Sequence, residues 1–108
     1  MYARTSSWTG SAEAIERWVE AARERVAPMV AAQPGNVGAI FLVDRDGRRA
    51  LTLTVWDSEA AARASDETAE QSRAATVAAT GVTLAERGRH EVVARVGDSD
   101  PAHSSNVS

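Results

Sequence analysis

The chain has 108 residues, 44% of them apolar and 25% charged, and a net charge of −3. That length holds one domain with a modest core, and the mild acidity argues against nucleic acid, which demands a clustered positive face. No run approaches the roughly eighteen apolar residues of a membrane span, and the absence of cysteine removes disulfides and thiol nucleophiles and fits a reducing, cytoplasmic setting.

Met1 to Thr9 alternates as a strand, with Tyr2, Arg4, Ser6 and Trp8 on one face. Gly10-Ser11 breaks it, and Ser11 suits the N-cap of a helix whose first turns carry Glu13 and Glu16. Ile15, Trp18, Val19, Ala22, Val26, Met29 and Val30 then recur at helical spacing as one apolar stripe. Pro28 cannot donate a backbone hydrogen bond, so a kink or loosened turn is expected near Arg25, and Pro34-Gly35 ends the helix. Asn36 to Asp44 is a strand apolar on both faces, and Asp44-Arg45-Asp46-Gly47 supplies a hairpin turn with Asp46-Gly47 as its strongest signal. The return strand, Arg49 to Trp56, sets Leu51, Leu53 and Val55 against Ala50, Thr52, Thr54 and Trp56. An alanine-rich helix from Glu59 to Ser65, a bend at Ser65-Asp66 and a helix from Glu67 to Ala79 follow, closed by Gly81. Val82 to Glu86 reads as a short extended piece and Gly88 to Val96 as the last strand. The domain spans residues 1–96, and residues 97–108 form a polar, aperiodic tail expected to be flexible.

The order β-α-β-β-α-β is the α+β, ferredoxin-like arrangement, with an antiparallel sheet and helices on one of its faces. The other face is not polar: Val37, Phe41 and Val43 stand opposite Ile40 and Leu42 on the second strand. A sheet facing water alternates more cleanly. A second copy of the chain is the simplest cover, so a homodimer is expected. The start MYARTSSW has no apolar core behind basic residues, so export is not expected.

The run Thr52 to Ser65 (TLTVWDSEAAARAS) resembles the strand-to-helix junction of the antibiotic-biosynthesis monooxygenase family, within the dimeric α/β-barrel superfamily. Ala32 to Arg48, Ala79 to Val93 and the MYARTSSW start agree with it in order and spacing, so the resemblance covers residues 1–96. It implies a dimeric barrel with a pocket between sheet and helices near Trp56. Members include cofactor-independent oxygenases of aromatic polyketides and haem-degrading enzymes. The haem-degrading branch pairs this tryptophan with a first-strand asparagine and a helical histidine. Here Arg4 stands at the first position, and Asp66 to Arg73 contains no histidine, so an axial ligand is lacking.

The candidate catalytic residues are Trp56, Arg4 and His90. An indole N–H suits a developing oxyanion, a guanidinium suits a phenolate or carboxylate, and an imidazole suits a proton acceptor. Each also has a plain reading, as edge packing, a salt bridge and a surface residue. Tyr2, Trp8, Phe41 and Arg73 are the candidate substrate-binding residues; Trp18 and Met29 read as core. No phosphate loop, metal-spaced cluster or nucleophile motif is present, so the residues give a cofactor or metal requirement no support. The expected function is a cofactor-independent oxygenase acting on a small flat aromatic ligand, without nucleic-acid or membrane partners. Two alternatives stay open, a non-catalytic ligand-binding or stress-associated dimer and a non-redox cyclase or isomerase.

Overall fold

The computed structural model describes residues 1–97, so the rest of the expected tail lies outside the described residues. In chain order the elements are β1 (Tyr2–Thr9), α1 (Ala12–Ala21), a π-helical turn (Ala22–Val26), α2 (Ala27–Ala31), β2 (Asn36–Asp44), β3 (Arg49–Trp56), α3 (Glu59–Ala64), α4 (Asp66–Thr80) and β4 (Thr83–Glu91). The strands form one antiparallel sheet in the order β2-β3-β1-β4, the ferredoxin-like arrangement.

Local chemistry accounts for most boundaries. Ser11 caps α1, its Oγ accepting from the Ala14 amide at 3.1 Å. The irregularity expected near Arg25 is the π-helical turn, upstream of Pro28, which cannot donate to the Glu24 carbonyl one turn back. Gly81 ends α4 in the left-handed region at φ 83°. In the β2–β3 hairpin the left-handed residue is Arg48 (φ 53°) rather than Gly47, whose amide instead donates to Asp44 Oδ1 at 3.0 Å. An L-residue there costs roughly 1–2 kcal/mol, while glycine loses about 0.5–1 kcal/mol more chain entropy on folding. The exposed substitution Arg48→Gly is therefore expected to raise the unfolding free energy by about 0.5 kcal/mol, measured by urea denaturation.

The last strand departs from expectation. Val82–Glu86 and Gly88–Val96 were expected as separate pieces, but β4 is continuous from Thr83 to Glu91, with a bulge opposite Ser7/Trp8. It stops where its partner stops: Tyr2 pairs with Glu91, and the Val92 amide makes one further bond to the Met1 carbonyl at 2.9 Å. Val93 and Val96 are left 89% and 100% exposed, because β-propensity without a partner strand makes no ladder.

Register sorts the residues onto two faces. Arg4, Ser6 and Trp8 of β1 lie beside Thr54, Thr52 and Ala50 of β3, facing the helices. The core cluster there joins Trp8, Ile15, Trp18, Val19 and Val82, with Phe41 packed against it. The opposite face carries Ile40 beside Leu53 and Leu42 beside Leu51, and no helix of the described residues covers it. The face left open is thus the more aliphatic side of β3.

Candidate functional site

Trp56 ends β3 wholly buried, and its indole N–H donates to Thr54 Oγ1 at 3.0 Å, two residues back on the same face. Trp8 repeats the arrangement across the strand pair, with its N–H 3.4 Å from Thr52 Oγ1. Each threonine oxygen therefore accepts from an indole, which leaves its own hydroxyl hydrogen to donate elsewhere. The indole N–H expected to meet a substrate oxygen is already engaged by Thr54.

Arg4 explains how a charge comes to sit mid-strand. Its guanidinium carbon lies 5.6 Å from the Trp56 ring centroid, within cation–π range. Nη1 donates to Ser65 Oγ at 2.7 Å; Nη2 donates to the Ala62 carbonyl at 2.6 Å and to the Asp66 carboxylate. These partners sit at the α3–α4 junction, so Arg4 ties the sheet centre to both helices. Burial lowers its pKa, and the bond to Asp66 opposes that shift.

Asp66 is also reached from the far side by Arg89 of β4, at 3.2 Å. One turn along α4, Glu70 stands between Arg73, at 2.6 Å, and Arg87 of β4. The spacing is regular: acids four apart on a helix share a face, and arginines two apart on a strand share a face. The result is two parallel arginine–carboxylate–arginine bridges, each placing one arginine at the cavity lining.

That cavity has a volume of about 60 Å³. Trp8, Trp18, Phe41 and Trp56 wall it with rings, Val26, Met29 and Val30 close it from the helix side, and Thr52, Thr54, Ser65, Ser72 and Thr76 supply hydroxyls. Its only charged lining groups among the described residues are Arg4 and Arg73. The Arg73 side chain is 13% exposed, burial lowers its pKa, and its Nε is shielded from solvent without a hydrogen-bond partner among the described residues.

Five of the seven expected site residues therefore surround one cavity: Arg4, Trp8, Phe41, Trp56 and Arg73. Tyr2 shares their face but stands beside Trp56 and Glu91 at the strand end, outside the lining. His90 corrects the expectation more sharply. It pairs with Ala3, so the strand pleat points it to the face away from the cavity, where it is exposed. Thr52, Thr54, Ser65, Asp66 and Glu70 were missed, although the Asp66/Glu70 and Arg87/Arg89 spacings were visible signals.

Comparison with known proteins bears on the fold and the family. The structure resembles SnoaB, a cofactor-independent oxygenase from Streptomyces nogalater, with a TM-score of 0.62, 22% identity and coverage of 90% of this chain and 97% of that one. It also resembles a dimeric ferredoxin-like protein from an uncultured marine organism, with a TM-score of 0.66, 12% identity and coverage of 91% and 100%. The haem-degrader MhuD from Mycobacterium tuberculosis, solved with two haems bound in its active site, matches with a TM-score of 0.61, 26% identity and coverage of 90% and 100%. The residues of this chain do not fit a haem: among the described residues no histidine, cysteine or tyrosine lines the cavity to ligate iron, and the buried guanidinium of Arg4 lines it instead. No curated protein matches the chain. The family model for antibiotic biosynthesis monooxygenase matches residues 1–77, and by that match over most of the domain the chain belongs to the antibiotic biosynthesis monooxygenase family.

Proposed function

We propose that the protein is a cofactor-independent oxygenase, working as a homodimer on a small flat aromatic substrate. The observation that carries this reading is the cavity itself, walled by aromatic rings and, among the described residues, charged only by guanidinium groups. Such a site holds a planar ring by its faces and favours negative charge developing on it. Family membership and the likeness to an oxygenase support the same direction.

The chemistry asked of the protein is modest. An ionised phenol or enol gives electrons to dioxygen directly: a ring CH₂ becomes a carbonyl, one oxygen atom entering the carbon and the other leaving as water. The four electrons taken up by dioxygen come from that carbon. The residues would exclude bulk water, hold the ring between Trp8, Phe41 and Trp56, and stabilise the anion. Trp56 contributes its face, backed by Arg4, and Thr54 contributes the hydroxyl hydrogen freed by the indole.

Oxygen uptake tests this. Incubation with a panel of anthrones and quinols is expected to consume dioxygen above the protein-free rate. Trp56→Phe weakens the contact to Arg4 and releases Thr54, and is expected to lower turnover on the order of tenfold, the equivalent of about 1.4 kcal/mol. Uptake at background across the panel, or full turnover in Trp56→Phe, would sink the oxygenase reading. A second reading, ligand binding without catalysis, is favoured by one observation: no proton acceptor of the usual kinds, carboxylate or imidazole, lines the cavity among the described residues. Saturable ligand binding with no oxygen consumption is its expected signature.

A further inference from the structure

We propose that residues 22–33, the π-helical turn with α2 and the two residues after it, form a lid over the cavity, latched shut by Arg25 on Thr76. This rests on reading the cavity as a ligand site, and it supplies the way in that the closed structure lacks.

The cavity is too small for the ring it is shaped to hold. An apolar cavity of about 150 Å³ takes a single benzene ring, and this one has about 60 Å³. One wall therefore has to move, and the walls are unequally held. The floor is the sheet, laddered along every strand. α4 is bridged to that sheet through Asp66 and Glu70, which hold arginines of β1 and β4. α1 buries Ala14, Ile15, Trp18 and Val19. Residues 22–33 bury only Ala22 and Val30, yet Ala22, Val26, Met29, Val30 and Gln33 all line the cavity. Among the described residues, one side-chain hydrogen bond ties this segment to the rest of the chain: Arg25 Nη2 donates to Thr76 Oγ1 at 2.7 Å. Thr76 is buried and lines the cavity, whereas Arg25 is exposed, so the latch runs from the solvent side of the lid to the opposite wall.

The π-turn is the hinge. In a regular helix the Pro28 ring collides with the Glu24 carbonyl, and the π-turn relieves this by absorbing one extra residue. Ile15, Trp18, Ala22, Val26, Met29 and Val30 nevertheless keep α-helical spacing straight through it. The apolar pattern thus also suits a second register, an unbroken α-helix. Exchange between the two turns α2 by about 100° and slides it by about 1.5 Å. That motion parts Arg25 from Thr76 and withdraws Met29 and Val30 from the cavity. The π register is the closed state and the α register the open one, two discrete arrangements of one packed element.

The lid can be tested without any ligand. The chain has no cysteine, so Ser6→Cys, on β1, lining the cavity and 6% exposed, carries a single reporter thiol. Its modification by methyl methanethiosulfonate, read by mass spectrometry, follows opening. Adding Arg25→Met or Thr76→Val is expected to speed labelling about tenfold through loss of the charge-assisted bond. Pro28→Ala frees the α register from its clash, so it should also speed labelling while leaving the urea midpoint unchanged or raised. Hydrogen exchange should quicken over residues 23–33 in all three variants and stay unchanged in α1 and α4. Labelling that simply tracks urea stability across the variants, or slower labelling in Pro28→Ala, overturns the proposal. Entry of 1-naphthol, followed by the fluorescence of Trp8, Trp18 and Trp56, which all line the cavity, should level off with concentration at the opening rate. An entry rate that climbs past the opening rate removes the lid and leaves the oxygenase reading standing. A lid that opens as expected while no ring compound binds upholds the lid and removes the ligand-site reading alone.

Discussion

Arg4→Ala is expected to lower the unfolding free energy by about 3 kcal/mol, a large share of the roughly 5–15 kcal/mol typical of a domain. Three losses contribute. The charge-assisted bonds to Ser65 and the Ala62 carbonyl are worth about 1.5–3 kcal/mol each in isolation. The contact with the Trp56 ring adds about 0.5–2 kcal/mol. Truncating a side chain that is 8% exposed also leaves a void beside the cavity. Two effects reduce the total. Ser65 Oγ still donates to the Ala62 carbonyl at 2.7 Å, and Asp66 keeps Arg89 and is half exposed, so no buried charge is orphaned. The burial that lowers the Arg4 pKa is an opposing desolvation cost that alanine does not carry.

Arg4→Met divides these contributions, because methionine restores the packing without the bonds. It is expected to lose about 1–2 kcal/mol, and the gap between the variants reports the void. Urea denaturation followed by circular dichroism measures both. An Arg4→Ala midpoint indistinguishable from wild type would show that the network at the α3–α4 junction is not holding the sheet to the helices. Activity lost in Arg4→Ala says little about chemistry until stability is known, since the guanidinium acts first as a positioning group for Trp56 and the helix junction.

The chemistry of the site was more legible than its geometry. Arg4 stands out because a charge in the middle of a strand demands a partner, but that partner, Asp66, is 62 residues away and no local pattern names it. Ser11, Pro28 and Gly81 act on their own backbone within a turn, so their effects can be read where they stand. The parity of β4 could not be read. Glu86, Gly88 and His90 alternate with Arg87, Arg89 and Glu91, polar on both sides, and the bulge opposite Ser7/Trp8 shifts the register midway. A shift of one residue moves every side chain to the other face, and it is this that takes His90 away from the cavity while bringing Arg87 and Arg89 to α4. On β3 the alternation was clear but not its sense. Leu51, Leu53 and Val55 look like the core face, yet the helices cover Thr52, Thr54 and Trp56 instead.

That inversion motivates the second large effect, the loss of self-association on charging the open face. Ile40 and Leu42 are 54% and 49% exposed, and with Leu51, Leu53 and Val55 they form a continuous aliphatic strip across β2 and β3. Water is an unfavourable neighbour for such a strip, each large aliphatic side chain gaining up to about 1.5–3 kcal/mol on full burial. A second copy meeting it face to face covers both strips at once, and a two-fold axis brings each residue into the interface twice. Leu53→Asp therefore introduces two buried carboxylates per dimer. At a cost of several kcal/mol each, the dissociation constant should rise more than a hundredfold, since about 1.4 kcal/mol is tenfold. Light scattering is expected to give a dimer for the wild type at micromolar concentration and a monomer for Leu53→Asp. Ile40→Arg, at a position already more than half exposed in the single chain, should give the same result with less risk to folding. Val77→Arg, on α4 and 39% exposed, should remain a dimer because it lies away from the strip. A wild-type monomer at micromolar concentration, or a dimer that survives both charged variants of the strip, would show that something other than a second copy covers this face.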